Sequence, residues 1–109
     1  MSKVRMGIIG IGNMGTSHVK SILGGMIPDM ELGAVADRLE PRRKWAGENI
    51  PQGIPVYSDG VELIKSGKVD AVLLSTPHYE HPVLGIEAMK NGLHVMCEKP
   101  AGEIGRAHV

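Results

Sequence analysis

The sequence predicts an α/β fold with a doubly wound parallel sheet, and three observations predict it. Short apolar runs such as Val4–Ile9 and Val69–Thr76 alternate with stretches whose apolar residues recur at helical spacing. The runs are continuous rather than alternating, which is the pattern of strands buried on both faces of a parallel sheet. Between the first run and the first helical stretch stand Gly10, Gly12 and Gly15, spaced G-x-G-x-x-G within MGIIGIGNMG, Met6 to Gly15. Strand, glycine turn and helix in that order are the context in which this spacing signals a dinucleotide site.

The elements follow in order. Val4–Ile9 makes the first strand, and Gly10 permits the tight turn out of it. Gly12 has no Cβ, so a pyrophosphate can approach the backbone, and Gly15 lets the helix pack closely on the strand. The helix opening near Asn13 aims its unpaired N–H groups and positive dipole end at the phosphates. Asn13 and Met14 therefore join the three glycines as candidate cofactor contacts. Met14, Val19, Ile22 and Leu23 carry the helical spacing, and Gly24-Gly25 ends the helix. Past the loop through Pro28-Asp29, Glu31–Asp37 reads as a second buried strand, completing one βαβ unit.

Glu40-Pro41 opens a second helix, with Pro41 well placed in its first turn. It runs to Asn49, with Trp45 and Ala46 as its buried contacts. Two prolines and Gly53 make the next stretch irregular until a short strand near Val56. Asp59 caps a helix that carries Val61, Leu63 and Ile64 and stops at Gly67. Val69–Thr76, nearly all apolar and rich in β-formers, is the strongest strand signal, and Thr76-Pro77-His78 ends it. His81-Pro82 starts a helix bearing Val83, Leu84, Ile86, Ala88 and Met89, closed by Asn91-Gly92. Leu93–Cys97 is a fifth strand, left by Glu98-Lys99-Pro100.

Size and composition bound the possibilities. A chain of 109 residues is at most one domain. Twelve Lys and Arg balance twelve Asp and Glu, so no global charge points to nucleic acid or a membrane surface. The cluster Arg38, Arg42, Arg43 and Lys44 reads as a solvated helix face. The one cysteine, Cys97, excludes an internal disulfide, reads as buried strand packing and fits a reducing compartment. Met-Ser-Lys-Val-Arg leads directly into the first strand and leaves no room for a signal peptide. No apolar run approaches the roughly 20 residues that span a bilayer. The expectation is a cytoplasmic protein with no membrane or nucleic-acid partner, and no metal site is expected.

Asp37 closes the second strand about 20 residues past the glycine turn, where a carboxylate can accept hydrogen bonds from both hydroxyls of the adenosine ribose. That chemistry selects NAD over NADP. Arg38 leaves NADP open, because it can stack on the adenine or pair with a 2′-phosphate if Asp37 swings away. A plainer alternative is that Asp37 only caps the following helix.

The combination GIGNMGTSH (Gly10 to His18), VAD (Val35 to Asp37), DAVLLSTPHYEH (Asp70 to His81) and GLHVMCEKP (Gly92 to Pro100) resembles the Gfo/Idh/MocA oxidoreductases. The likeness runs from Val4 to Gly102, and its most specific landmarks are Glu98-Lys99-Pro100 and Thr76-Pro77. It implies a Rossmann NAD(P)-binding domain over residues 1–102 of an enzyme that oxidises a sugar, polyol or cyclitol by hydride transfer. Residue by residue, it implies that Thr76 and Pro77 line the crevice at the strand ends and that His81 lies beside the nicotinamide half. It further implies that Glu98 helps hold the nicotinamide ribose and that Lys99 enters the active site as the catalytic candidate. A lysine beside a cationic nicotinamide has its charged form disfavoured, so it can hydrogen-bond a substrate hydroxyl or assist its proton transfer. His18 reads as a packing or inter-domain contact and His94 as a loop histidine. His78 departs from the asparagine often found after Thr-Pro and takes no fixed role.

Members of that family continue into a sixth strand and a second α/β domain that holds the acid/base residue, and full-length members are expected to be homo-oligomers. Here residues 103–109 read Glu-Ile-Gly-Arg-Ala-His-Val. The last six are what a common short-read sequencing adapter encodes in one frame before a stop codon. The expectation is read-through rather than a domain, with a genuine short protein as the alternative. The domain is accordingly expected to be incomplete, with an uncovered fifth strand, weak NAD binding and no turnover by itself. Two other functions stay open: a non-catalytic dinucleotide-binding redox sensor, and NAD-dependent glycoside hydrolysis within the same family.

Overall fold

The computed structural model of the chain describes residues 4–26, 29–75 and 81–97. The elements run β1 (Val4–Ile9), α1 (Asn13–Leu23), β2 (Met30–Ala36), α2 (Glu40–Asn49), β3 (Val56–Tyr57), α3 (Gly60–Lys65), β4 (Ala71–Leu74), α4 (His81–Lys90) and β5 (His94–Cys97). The strands form one parallel sheet in the order β3-β2-β1-β4-β5. The chain winds outward from β1 through β2 to β3, then crosses back to β4 on the other side of β1. That reversal puts the topological switch point between β1 and β4, where open α/β sheets bind ligands beyond their carboxyl ends.

Neighbouring residues on each strand explain the continuous apolar runs. Ile8, Val35 and Leu73 join Val19 and Ile22 of α1 and Ala46 of α2 in one buried cluster. Ile9, Ala36 and Leu74 join Leu63 and Ile64 of α3 and Leu84 and Ala88 of α4 in another. Side chains alternate across a strand, so a sheet covered on both faces needs an apolar residue at every position. α1 and α2 therefore cover one face and α3 and α4 the other.

Local chemistry sets the boundaries. Asp59 caps α3 as expected, its Oδ1 accepting from the N–H of Val61 at 3.1 Å. Trp45 is half-buried against the core beside buried Ala46. β4 is shorter than its apolar run. Asp70 turns to Arg5 before the strand begins, and Thr76 lies outside the described residues. The register between β1 and β2 slips after Met6, which faces Leu32 while Gly7 faces Ala34. Gly33 is the extra residue, and a Cβ there would stand 2.6 Å from the Lys68 carbonyl oxygen.

At the amino-terminal rim, Arg5 and Asp70 lash β1 to β4. Arg5 donates from Nη2 to Oδ1 at 2.9 Å, and from Nε and its backbone N–H to Oδ2 at 3.2 and 2.9 Å. The backbone N–H of Asp70 returns a bond to the Arg5 carbonyl at 2.7 Å. The hydrogen bonds from the Arg5 side chain and backbone hold the Asp70 carboxyl down at about 2, from an ordinary 3.8. On the far edge, His94 is the first residue of β5 rather than a loop histidine. No strand flanks the outer side of β5 among the described residues.

Candidate functional site

The carboxyl ends of β2, β1 and β4 finish level with one another. Ile9 is paired with Ala36 on one side and Leu74 on the other. The next residues, Asp37, Gly10 and Ser75, therefore stand in a row along the rim. Gly10 donates its N–H to the Ala36 carbonyl at 2.8 Å, and Ser75 donates its N–H to the Ile9 carbonyl at 2.8 Å.

Gly10 leaves β1 with φ of 99°, a left-handed conformation that a side chain would strain. Gly15 lies so close beneath it that a Cβ would collide with the Gly10 carbonyl oxygen. The two glycines thus bring the start of α1 directly over the end of β1. Gly12 is the N-cap of α1 and has no side chain with which to cap it, and the first turn holds no acidic residue. Helix-start N–H groups behind a glycine N-cap, at the positive end of the dipole, form a seat for an anion.

Asp37 is buried, 7% exposed, and its carboxylate ties the end of β2 to the glycine turn. Oδ2 accepts from the N–H of Ile11 at 2.7 Å, and Oδ1 accepts from the N–H of Leu39 at 2.9 Å. The N-cap of α2 is Leu39, so Asp37 is not simply the cap of the following helix. Each carboxylate oxygen has two lone-pair sites, which leaves acceptor capacity for a sugar hydroxyl.

The basic cluster departs from a solvated helix face. Arg42 folds back over the glycine turn, its Nη1 3.5 Å from Asp37 Oδ2. Its guanidinium atoms lie 3.3 to 3.5 Å from where a Cβ on Gly12 would sit. Arg43 Nη1 donates to the carbonyls of Asp37 at 2.9 Å and Arg38 at 2.8 Å, clamping the β2–α2 loop. Loop carbonyls and one buried carboxylate draw both arms inward. Arg38 and Lys44 are exposed.

The structure thus brings Gly10, Gly12, Gly15 and Asp37 together, with Arg38 on the adjoining loop. Asn13 and Met14 open α1 and His81 opens α4, but their side chains, like that of Cys97, lie outside the described set. Thr76, Pro77, His78, Glu98, Lys99 and residues 103–109 also lie outside the described residues. Two residues of the site escaped sequence reasoning. Arg42 had a signal in its position one turn into the helix after Asp37. Ser75 had one in being the polar residue that ends an apolar strand.

Among the described residues, no group of His, Cys, Asp and Glu is placed to hold a metal ion. None of their helices is long and apolar enough to cross a membrane.

Sheet order, glycine turn and strand-end carboxylate define a doubly wound dinucleotide-binding domain, and the residues present fit that ligand. A model of the oxidoreductase family with an NAD-binding Rossmann fold, Gfo/Idh/MocA, matches residues 4–104, and the chain belongs to that family. It is 38% identical over 101 residues to inositol 2-dehydrogenase of Rubrobacter xylanophilus, covering 93% of this chain and 28% of that protein. It is 34% identical to the rhizopine catabolism protein MocA of Rhizobium meliloti, covering 94% of this chain and 31% of that one. Among solved structures, scyllo-inositol dehydrogenase of Lactobacillus casei with NAD(H) and scyllo-inositol superposes with a TM-score of 0.81. That pair is 27% identical, over 91% of this chain and 28% of the other. A probable dehydrogenase of Thermotoga maritima gives a TM-score of 0.80 at 39% identity, over 89% of this chain and 28% of the other. The chain thus spans less than a third of the length of the relatives it matches.

Proposed function

We propose that the chain is the cofactor-binding part, residues 1–102, of an NAD-dependent oxidoreductase acting on a sugar, polyol or cyclitol. The observation that carries this reading is the buried Asp37 carboxylate bonded to Ile11 of the glycine turn, beside a helix start whose N-cap is Gly12. Gly10, Gly12 and Gly15 shape the phosphate seat, joined by the N–H groups of Asn13 and Met14 at the helix start. Asp37 accepts from the adenosine ribose hydroxyls, which favours NAD. Arg38 lies against the adenine.

When bound, the nicotinamide accepts a hydride from a secondary carbinol. Thr76, Pro77, His81 and Glu98 orient its half of the site, and Lys99 holds the substrate hydroxyl. The substrate class rests on likeness to inositol dehydrogenases. On this reading the whole protein is a cytoplasmic homo-oligomer.

A domain graft tests the reading. Residues 1–97 replace the corresponding segment of the Lactobacillus casei scyllo-inositol dehydrogenase, and NADH formation is followed with inositols. Turnover by the graft, lost on Lys99→Ala in a graft extended to residue 102, supports the assignment. A folded graft that binds NAD without turnover would favour a sensor module instead.

A further inference from the structure

Ser75 is the point at which the rim is chemically incomplete. Its Oγ is buried, and among the described residues it is a buried side-chain polar atom with no hydrogen-bond partner. The backbone beneath it is fixed, because its N–H bond to Ile9 carries the β1–β4 ladder one residue beyond Leu74. Side chains alternate along a strand. Ala71 and Leu73, of the same parity as Ser75, belong to the cluster shared with Val19 and Ile22 of α1. The hydroxyl therefore faces the α1 side of the sheet, level with Gly10 and next to the switch point. On that side α1 begins at its N-cap, Gly12. An unpaired buried hydroxyl and a helix start whose N-cap is glycine thus share one end of the sheet, and both present donors of the kind a phosphate accepts from.

We infer that Ser75 is a cofactor-positioning residue. Its Oγ–H donates to the pyrophosphate of the bound dinucleotide, directly or through one water, and is left unpaired when the site is empty. The inference rests on the NAD-binding reading above and adds a residue to it. It carries an unusual sign. Losing a hydroxyl that is already paired lowers stability, whereas losing an unpaired buried one relieves a desolvation penalty. Ser75→Ala is therefore expected to leave the ligand-free protein at least as stable while weakening its hold on the cofactor.

The test compares the 109-residue chain with its Ser75→Ala and Ser75→Thr variants, by thermal melting without ligand and by calorimetric titration with NAD. Ser75→Ala is expected to melt at or above the wild-type temperature and to bind NAD about three- to tenfold more weakly, the worth of one hydrogen bond. Ser75→Thr keeps the hydroxyl and is expected to bind within about twofold of wild type. Wild-type binding by Ser75→Ala, or a ligand-free melt below wild type, would overturn the assignment and leave the cofactor reading standing. Failure of the wild-type chain to bind NAD would remove both.

Discussion

Asp37 does two jobs that compete for one carboxylate. It satisfies backbone N–H groups of Ile11 and Leu39, and under the proposed function its remaining lone pairs accept from the ribose hydroxyls. Asp37→Ala strands those two donors, so the free protein should lose about 2 kcal/mol of stability, measured by denaturant unfolding. Asp37→Ser keeps a short acceptor but removes the charge and frees Arg42, whose guanidinium already lies over Gly12. Its NADP affinity relative to NAD should rise about tenfold or more in parallel titrations, because the charge that repels a 2′-phosphate is gone. Asp37 was legible in the sequence because a strand end at fixed distance from a glycine turn has few other uses. Arg42 was not, because a basic stretch at a helix start looks the same whether its arms reach into water or fold back. Which hydroxyl finds a partner is likewise decided by neighbours distant in the chain, so the sequence did not single out Ser75 within its strand.

At the scale of elements, strand and helix order was legible throughout, since burial on both sheet faces writes itself as unbroken apolar runs. The ends of elements were less so. β4 begins at Ala71 rather than Val69 because Asp70 is committed to Arg5, a pairing 65 residues apart that no local pattern reveals. That pair makes a pH prediction. The Asp70 carboxyl is held at about 2 in the fold against an ordinary 3.8, so its contribution is complete above pH 3.8 and lost as pH falls toward about 2. The melting difference between wild type and Asp70→Asn should shrink over that window. With side chains 43% and 45% exposed, added salt should shrink it further. Gly33 supplies a test in β2. Its Cβ-free face meets the Lys68 carbonyl, so Gly33→Ala should cost roughly 1–3 kcal/mol in the same unfolding assay.

For the molecule as a whole, β5 is the outer strand on the far side of the sheet among the described residues. On α4, Leu84 and Ala88 are buried while Val83, Ile86 and Met89 are 66%, 53% and 65% exposed, and Met96 of β5 is 51% exposed. A strand edge with no neighbour among the described residues, beside an apolar helix face, is a template for association. The 109-residue chain should therefore sediment faster as its concentration rises, and Ile86→Lys with Met89→Lys should return it toward a monomer. The sequence showed that α4 bears Val83, Leu84, Ile86, Ala88 and Met89. It did not show which sides stay bare, because that depends on what packs around the helix.

The most direct measurement is calorimetric titration of the folded chain with NAD, with Gly12→Val as the control that fills the phosphate approach. Saturable binding at one NAD per chain, tighter than NADP and lost in Gly12→Val, is the expected result. A chain that melts cooperatively yet gives no saturable heat with NAD would contradict the account.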